Sequence, residues 1–193
     1  MGNYSVMKRH FPRSDTVTGY IEIEEWDVEG FEDWGVGRIE RSQPQLPVVI
    51  NVVAHDGFVG VPHDFQDDVV PLMSARMKEA IESAGVDNIK FLGVTLRNPA
   101  TEETYDYFAF NLIGLVSAAD FSQSQITSHD GDFVGDSQVH NLVLDESKTR
   151  GLLMFRMKEK FSTILVHRKV REAIEKRGIN TVGFMAPEDY MAI

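Results

Sequence analysis

Leu72-Met73-Ser74-Ala75-Arg76-Met77-Lys78-Glu79-Ala80-Ile81-Glu82-Ser83-Ala84-Gly85 is the stretch that decides the fold. Met73, Met77, Ala80, Ile81 and Ala84 recur at helical spacing and define one apolar face. Ser74 suits the N-cap, and Gly85 suits the residue just past the end. Ile89 to Leu96 then reads as a strand. The same unit returns 93 residues later: Glu79-Ala80-Ile81-Glu82 recurs as Glu172-Ala173-Ile174-Glu175. Gly85 matches Gly178, Phe91 matches Phe184 and Leu72 matches Leu165. Met77, Val86 and Ile89 match Val170, Ile179 and Val182. Each copy is an apolar stretch, an amphipathic helix, a glycine stop and a strand. Such a helix buries its stripe on a sheet. The fold expected is therefore α+β, a largely antiparallel sheet carrying at least two helices.

Outward from this unit, residues 4–9 predict a first strand and Val48 to Val53 a buried one. Tyr20 to Trp26 suits a strand or a short amphipathic helix. His55 to Asp68 is broken by Gly57, Gly60 and Pro62 and reads as a loop. Asn98-Pro99-Ala100-Thr101 predicts a turn, with Tyr105 to Val116 as the returning strand. Residues 120–137 form a polar loop. Further strands are expected at 139–144, 152–157, 162–166 and 181–185, with a helix over 168–177. The chain divides into an acidic, aromatic-containing lobe over residues 1–63 and an α+β unit over residues 64–193.

The 193 residues carry 30 acidic and 19 basic side chains, a net charge of −11. Nucleic acid and anionic membranes repel such a surface, so neither is expected as a partner. With no cysteine, disulfides, thiolate metal sites and cysteine nucleophiles are excluded. The first ten residues lack the apolar core of a secretory signal. A cytoplasmic protein is expected.

The charge is polarised. Residues 1–147 hold 9 basic and 25 acidic side chains, whereas residues 148–193 hold 10 and 5. No Lys or Arg lies between Arg13 and Arg38, or between Arg97 and Lys148. In the first of these windows Trp26, Phe31 and Trp34 are interleaved with acids. Aromatic anchors among charges suit a protein interface, although the same rings could pin the segment to the core. Glu22, Glu24, Glu25, Trp26, Asp27, Glu29 and Trp34 are the candidate contact residues.

Catalytic motifs are scarce. His55-Asp56, His63-Asp64 and His129-Asp130 pair imidazoles with carboxylates, but adjacent residues on an extended chain point apart. Asp130 to Asn141 fails as a calcium loop, with Val134 and Asn141 where oxygen ligands are needed. No nucleophile elbow or phosphate loop occurs, and no cofactor or metal is expected.

From Asp64 onward the chain resembles a family of bacterial polymorphic-toxin immunity proteins, myxobacterial in type and first catalogued as a domain of unknown function. An ordered set of segments carries the resemblance. Asp64-Phe65 comes first, then Val70-Pro71-Leu72-Met73-Ser74 and Tyr107-Phe108-Ala109-Phe110-Asn111-Leu112-Ile113 closing on Asp120. Leu142-Val143-Leu144-Asp145, Phe155-Arg156-Met157 and Gly178-Ile179-Asn180-Thr181-Val182-Gly183-Phe184 follow. The resemblance covers about two-thirds of the chain. It implies a non-catalytic inhibitor that binds the C-terminal domain of a cognate toxin. The alternatives are a hydrolase using His55, His63 and His129 to reverse a toxin's modification, or a secretion-system adaptor.

Overall fold

The computed structural model describes residues 2–9, 20–24, 28–55, 61–128 and 131–192. The elements among them begin with β1 (Tyr4–Arg9), β2 (Tyr20–Ile23), β3 (Val48–His55), β4 (Phe65–Gln66) and β5 (Leu72–Met73). Helix α1 (Ala75–Ala84) precedes β6 (Ile89–Arg97), β7 (Thr104–Leu112), β8 (Leu115–Val116), β9 (Gln125–Thr127) and β10 (Gln138–His140). Then come β11 (Met154–Met157), β12 (Ile164–His167), α2 (Arg168–Lys176), β13 (Val182–Met185) and β14 (Met191–Ala192). They form a six-stranded sheet β2-β3-β6-β7-β5-β4, a five-stranded sheet β13-β1-β12-β11-β8 and a three-stranded sheet β14-β10-β9. Pairing is antiparallel except at β3–β6 and β8–β11. The architecture is α+β, as the periodicities predict.

The deciding stretch folds as its spacing requires. The Ser74 hydroxyl accepts the Met77 N–H at 3.3 Å, filling one of the open donors of the first turn. Gly85 closes α1 at φ +91°, a conformation that penalises any Cβ. Met77, Ala80, Ile81 and Ala84 are buried. Met73, on the same apolar stripe in sequence, belongs to β5 and enters the same core. Burying a Met or Ile side chain contributes about 1.5–3 kcal/mol.

The repeat has a structural counterpart. In β5–α1–β6 the two strands run parallel and flank β7, which is antiparallel to both. In β12–α2–β13 the two strands likewise flank β1. Each unit is thus a β-α-β crossover with one strand inserted into its gap. A helix about 10 Å across matches two strand spacings of about 4.8 Å, so the skipped position suits the crossover. His167, 93 residues after Ser74, is also a side-chain N-cap, accepting the Lys169 N–H at 3.2 Å. The inserted strand has a different origin in each unit. β7 follows β6 through a turn in which the Asn98 N–H donates to the Glu103 carbonyl at 2.9 Å. β1 comes from the start of the chain. The two helices pack on each other within one core that includes Met7, Phe65, Phe110, Ile164 and Val166.

Asp64 locks the first unit to the second. Its carboxylate accepts from Ser74 Oγ at 2.6 Å, Arg76 Nε at 2.6 Å and Thr181 Oγ1 at 2.9 Å. Burial alone would raise its pKa, but these bonds outweigh it and hold the carboxyl below its ordinary value.

Some element boundaries differ from the sequence reading. The strand expected over Tyr105 to Val116 ends at Leu112. Gly114, at φ +118°, turns the chain out of one sheet, and Leu115–Val116 enters the other. The strand expected at 139–144 stops at His140, because Asn141 adopts φ +47°. The polar loop over 120–137 contains β9, recruited by backbone pairing with β10 rather than by any apolar pattern. Tyr20 to Ile23 takes the strand alternative, paired with β3.

Candidate protein-binding surface

Among the described residues β2 is an edge strand, paired with β3 alone. Its alternation buries Ile21 and Ile23 and turns Glu22 outward, and Glu24 just beyond it is also exposed. Across the pair, His55 Nε2 lies 3.2 Å from Glu22 Oε2. A cavity of about 170 Å³ is lined by Glu22, Glu24, Val53, His55, Asp68 and Val69. Asp68 also lines a second cavity of about 570 Å³, together with Asp67, Asp136 and Lys160. Asp136 is 91% exposed and accepts from Lys160 Nζ at 3.0 Å. Acids from three separate stretches of chain thus line two cavities that share Asp68. Asp67 is held from behind by Arg156, whose guanidinium donates to both carboxylate oxygens, at 2.9 and 2.5 Å.

The sequence-predicted contact residues divide. Glu22, Glu24 and Glu29 face outward. Glu25, Trp26 and Asp27 lie outside the described residues. Trp34 is corrected from a surface contact to a core residue: it is 4% exposed and packs edge-on against buried Phe31 at 5.0 Å. Both rings cover the six-stranded sheet with Val48, Ile50 and Leu72. For these two aromatics the core alternative is the correct one.

Other acids of the windows act locally. Asp33 is buried and accepts the backbone N–H and the guanidinium of Arg41. The guanidinium and then the backbone bond hold its carboxyl below the usual range. Asp120 closes a turn by accepting from Ser122 and Gln123, which lowers its pKa in the same way. Glu146 accepts the backbone and side-chain N–H groups of Asn3, tying β1 down. An acid that caps a turn is indistinguishable in sequence from one that faces a partner.

The histidines do not assemble a visible site. His55 pairs with Glu22, while the His63 carbonyl accepts from Tyr107 Oη at 3.2 Å. His129 lies outside the described residues. Among the described residues no group of three or more His, Cys, Asp or Glu could hold a metal ion.

Sequence reasoning missed Glu159. Lys158-Glu159-Lys160 reads as a charged surface turn, yet Glu159 is completely buried. Ser117 Oγ donates to Oε1, and Oε2 has no hydrogen-bond partner among the described residues. Burial pushes the carboxyl pKa up, only partly countered by the Ser117 bond. A raised carboxyl pKa contributes stability that is full below the unfolded value and is lost as pH rises through the folded value. Glu159→Gln should therefore melt above the parent at pH 8, and the gap should close as pH falls toward 4. Thermal melts across that range check it. A gap independent of pH would show that Glu159 titrates normally.

Residues 8–189 match the model of a family described as an immunity protein family, Imm11. The match reaches back through β3 and β2 to the last two residues of β1, beyond the part of the chain that carries the resemblance in sequence. No curated protein matches the chain. Among the described residues, no helix is long and apolar enough to cross a membrane.

Proposed function

The chain belongs to the Imm11 immunity protein family, and from this premise we propose that it binds and neutralises a cognate bacterial toxin in the cytoplasm, protecting the producing cell in competition between bacteria. It acts by occlusion, without catalysis. The observation that carries this reading is the gathering of Glu22, Glu24, Asp68 and Asp136 along the β2 edge and the cavities beside it. All four are exposed, although Asp68 also accepts the Val69 N–H at 3.0 Å and Asp136 accepts from Lys160. A basic toxin surface, such as that of a nuclease, would be drawn to them. Complementary fields of this kind raise association rates by about 10- to 10³-fold. Glu29 belongs to the same outward set.

The test is co-expression with the C-terminal domain of the toxin encoded beside this chain. Growth should be restored and the two proteins should co-purify. Protection should saturate at one chain per toxin domain. Rescue at a small fraction of that ratio would indicate turnover and favour the hydrolase. Failure of both rescue and co-purification would reject the reading.

A further inference from the structure

The second β-α-β unit opens a cavity of about 480 Å³ at the carboxyl ends of its two strands. β1 lies between β12 and β13 and is antiparallel to both, so those two strands run parallel. α2 leaves the end of β12, and residues 186–189 follow the end of β13. Arg168 and Arg171 of α2 line the cavity, with Asn3 and Ser5 from the start of the chain and Glu188 and Asp189 beyond β13. Open α/β sheets take their ligands at such strand ends. The volume falls in the usual range of small-molecule sites, about 300–1,000 Å³.

Both arginines lack a close carboxylate. Arg41, Arg76, Arg97 and Arg156 each reach one at 2.5–3.2 Å. Arg168 Nε stops 3.8 Å from Glu172 and Arg171 Nε 3.7 Å from Glu175, beyond hydrogen-bond reach. The Arg171 guanidinium has one bond, to Ser5 Oγ at 3.5 Å, and its Nε is buried without a hydrogen-bond partner among the described residues. The start of α1 shows what completes such a place: there the Asp64 carboxylate joins Ser74, Arg76 and Thr181. His167 and Lys169 stand at the matching positions 93 residues on, and among the described residues no carboxylate is hydrogen-bonded to either side chain. Glu146, whose charge reaches His167, has both oxygens on Asn3. An oxyanion is therefore the missing part. Glu188 and Asp189 narrow its kind. Both are exposed and make no ion pair or side-chain hydrogen bond among the described residues. A bare anion would meet these two acids, and a bare cation the two arginines. A molecule carrying both charges meets neither repulsion.

The geometry points to a binding site for a small zwitterion, an α-amino acid or a short peptide, with its carboxylate on Arg168 and Arg171 and its ammonium toward Glu188 and Asp189. The guanidinium fork suits a carboxylate because it offers two parallel bonds. The cavity shares no lining residue with those beside the β2 edge, so it stands apart from the neutralisation reading.

The test is an NMR titration of the full chain at millimolar probe concentration. The probes are the standard amino acids, diglycine and triglycine, with acetate, inorganic phosphate and methylammonium as single-charge controls. At least one zwitterion should shift the amides of Asn3, Ser5 and Asp189, and the single-charge probes should bind about tenfold or more weakly. A preference for the free amino acids or for the peptides tells which of the two the cavity holds. Arg171→Gln should weaken the zwitterion about tenfold or more, and so should Glu188→Gln with Asp189→Asn. The double variant should leave acetate no weaker, because it removes only the acids. Circular dichroism checks that each variant folds. Arg168→Gln, at a side chain 62% exposed, reads the same contact should Arg171→Gln unfold the chain. No shift with any zwitterion would overturn the inference. So would acetate or phosphate binding as tightly as the best zwitterion, or parental affinity in the arginine and acid variants.

Discussion

Reversing Glu22, Glu24, Glu29 and Asp68 to lysine together should slow association with the toxin by about 10- to 100-fold. Each reversal shifts the charge by two, so the net charge moves from −11 to −3. All four side chains are exposed, and the contacts that are lost, Glu22 with His55 and Asp68 with the Val69 N–H, lie at the surface. Surface pairs of that kind contribute about 0–1 kcal/mol, so the fold should survive. Steering acts over distances that salt screens, with a Debye length of about 10 Å at 0.1 M. The parent's association rate should therefore fall steeply with salt, and the variant's should be nearly flat. Surface plasmon resonance at low and high salt separates the two. An unchanged rate with an unchanged salt slope would move the interface away from the β2 edge.

Asp67→Ala should destabilise the fold by about 3–5 kcal/mol, the usual cost of stranding one member of a buried pair. Arg156 is 0% exposed, and its guanidinium has three bonds: two to Asp67 and one to the Phe161 carbonyl at 2.9 Å. Its Nε is already buried without a partner among the described residues. Deleting the carboxylate leaves a full charge in the interior with a single carbonyl for company. That is a large fraction of a typical stability of about 5–15 kcal/mol. Toxin binding should weaken as well, because Asp67 lines the cavity it shares with Asp68. Replacing the pair by Met at 156 and Leu at 67 should recover most of the stability but not the binding. Urea denaturation measures the first effect. A loss under about 1 kcal/mol for Asp67→Ala would show that water takes the place of the carboxylate.

Both predictions depend on residues that the sequence marks unequally. Glu22, Glu24 and Glu29 were legible, because a run of acids without any base is visible in composition. Asp67 and Asp68 were not. They sit in a stretch whose only signals are loop-breaking glycines and prolines, and nothing local tells which acid will meet a buried arginine. Arg156 gave no warning either, since a basic residue between Phe155 and Met157 reads as the outward position of an alternating strand. In the structure all four residues of β11 are buried, and Arg156 among them meets Asp67, from the segment just after β4, on what would have been the solvent side. Trp34 erred in the opposite direction. Its acidic neighbours suggested a surface, but Asp33 turns inward to Arg41 and the ring follows Phe31 into the core.

By itself the sequence determined the two helices, the Ser74 and Gly85 caps of α1, the hairpin beyond Asn98 and the 93-residue repeat. These are short-range matters, decided by periodicity, by a hydroxyl at an N-terminus and by a glycine that tolerates a left-handed turn. Only the tertiary structure decided which strand fills the gap in each β-α-β unit: β7 from the next turn in one, β1 from the far end of the chain in the other. It also decided which acids face outward and which close turns or neutralise buried arginines. Strand pairing and ion pairing are satisfied by any partner of the right chemistry. The partner is selected by burial of the whole sheet, which no local stretch of sequence contains.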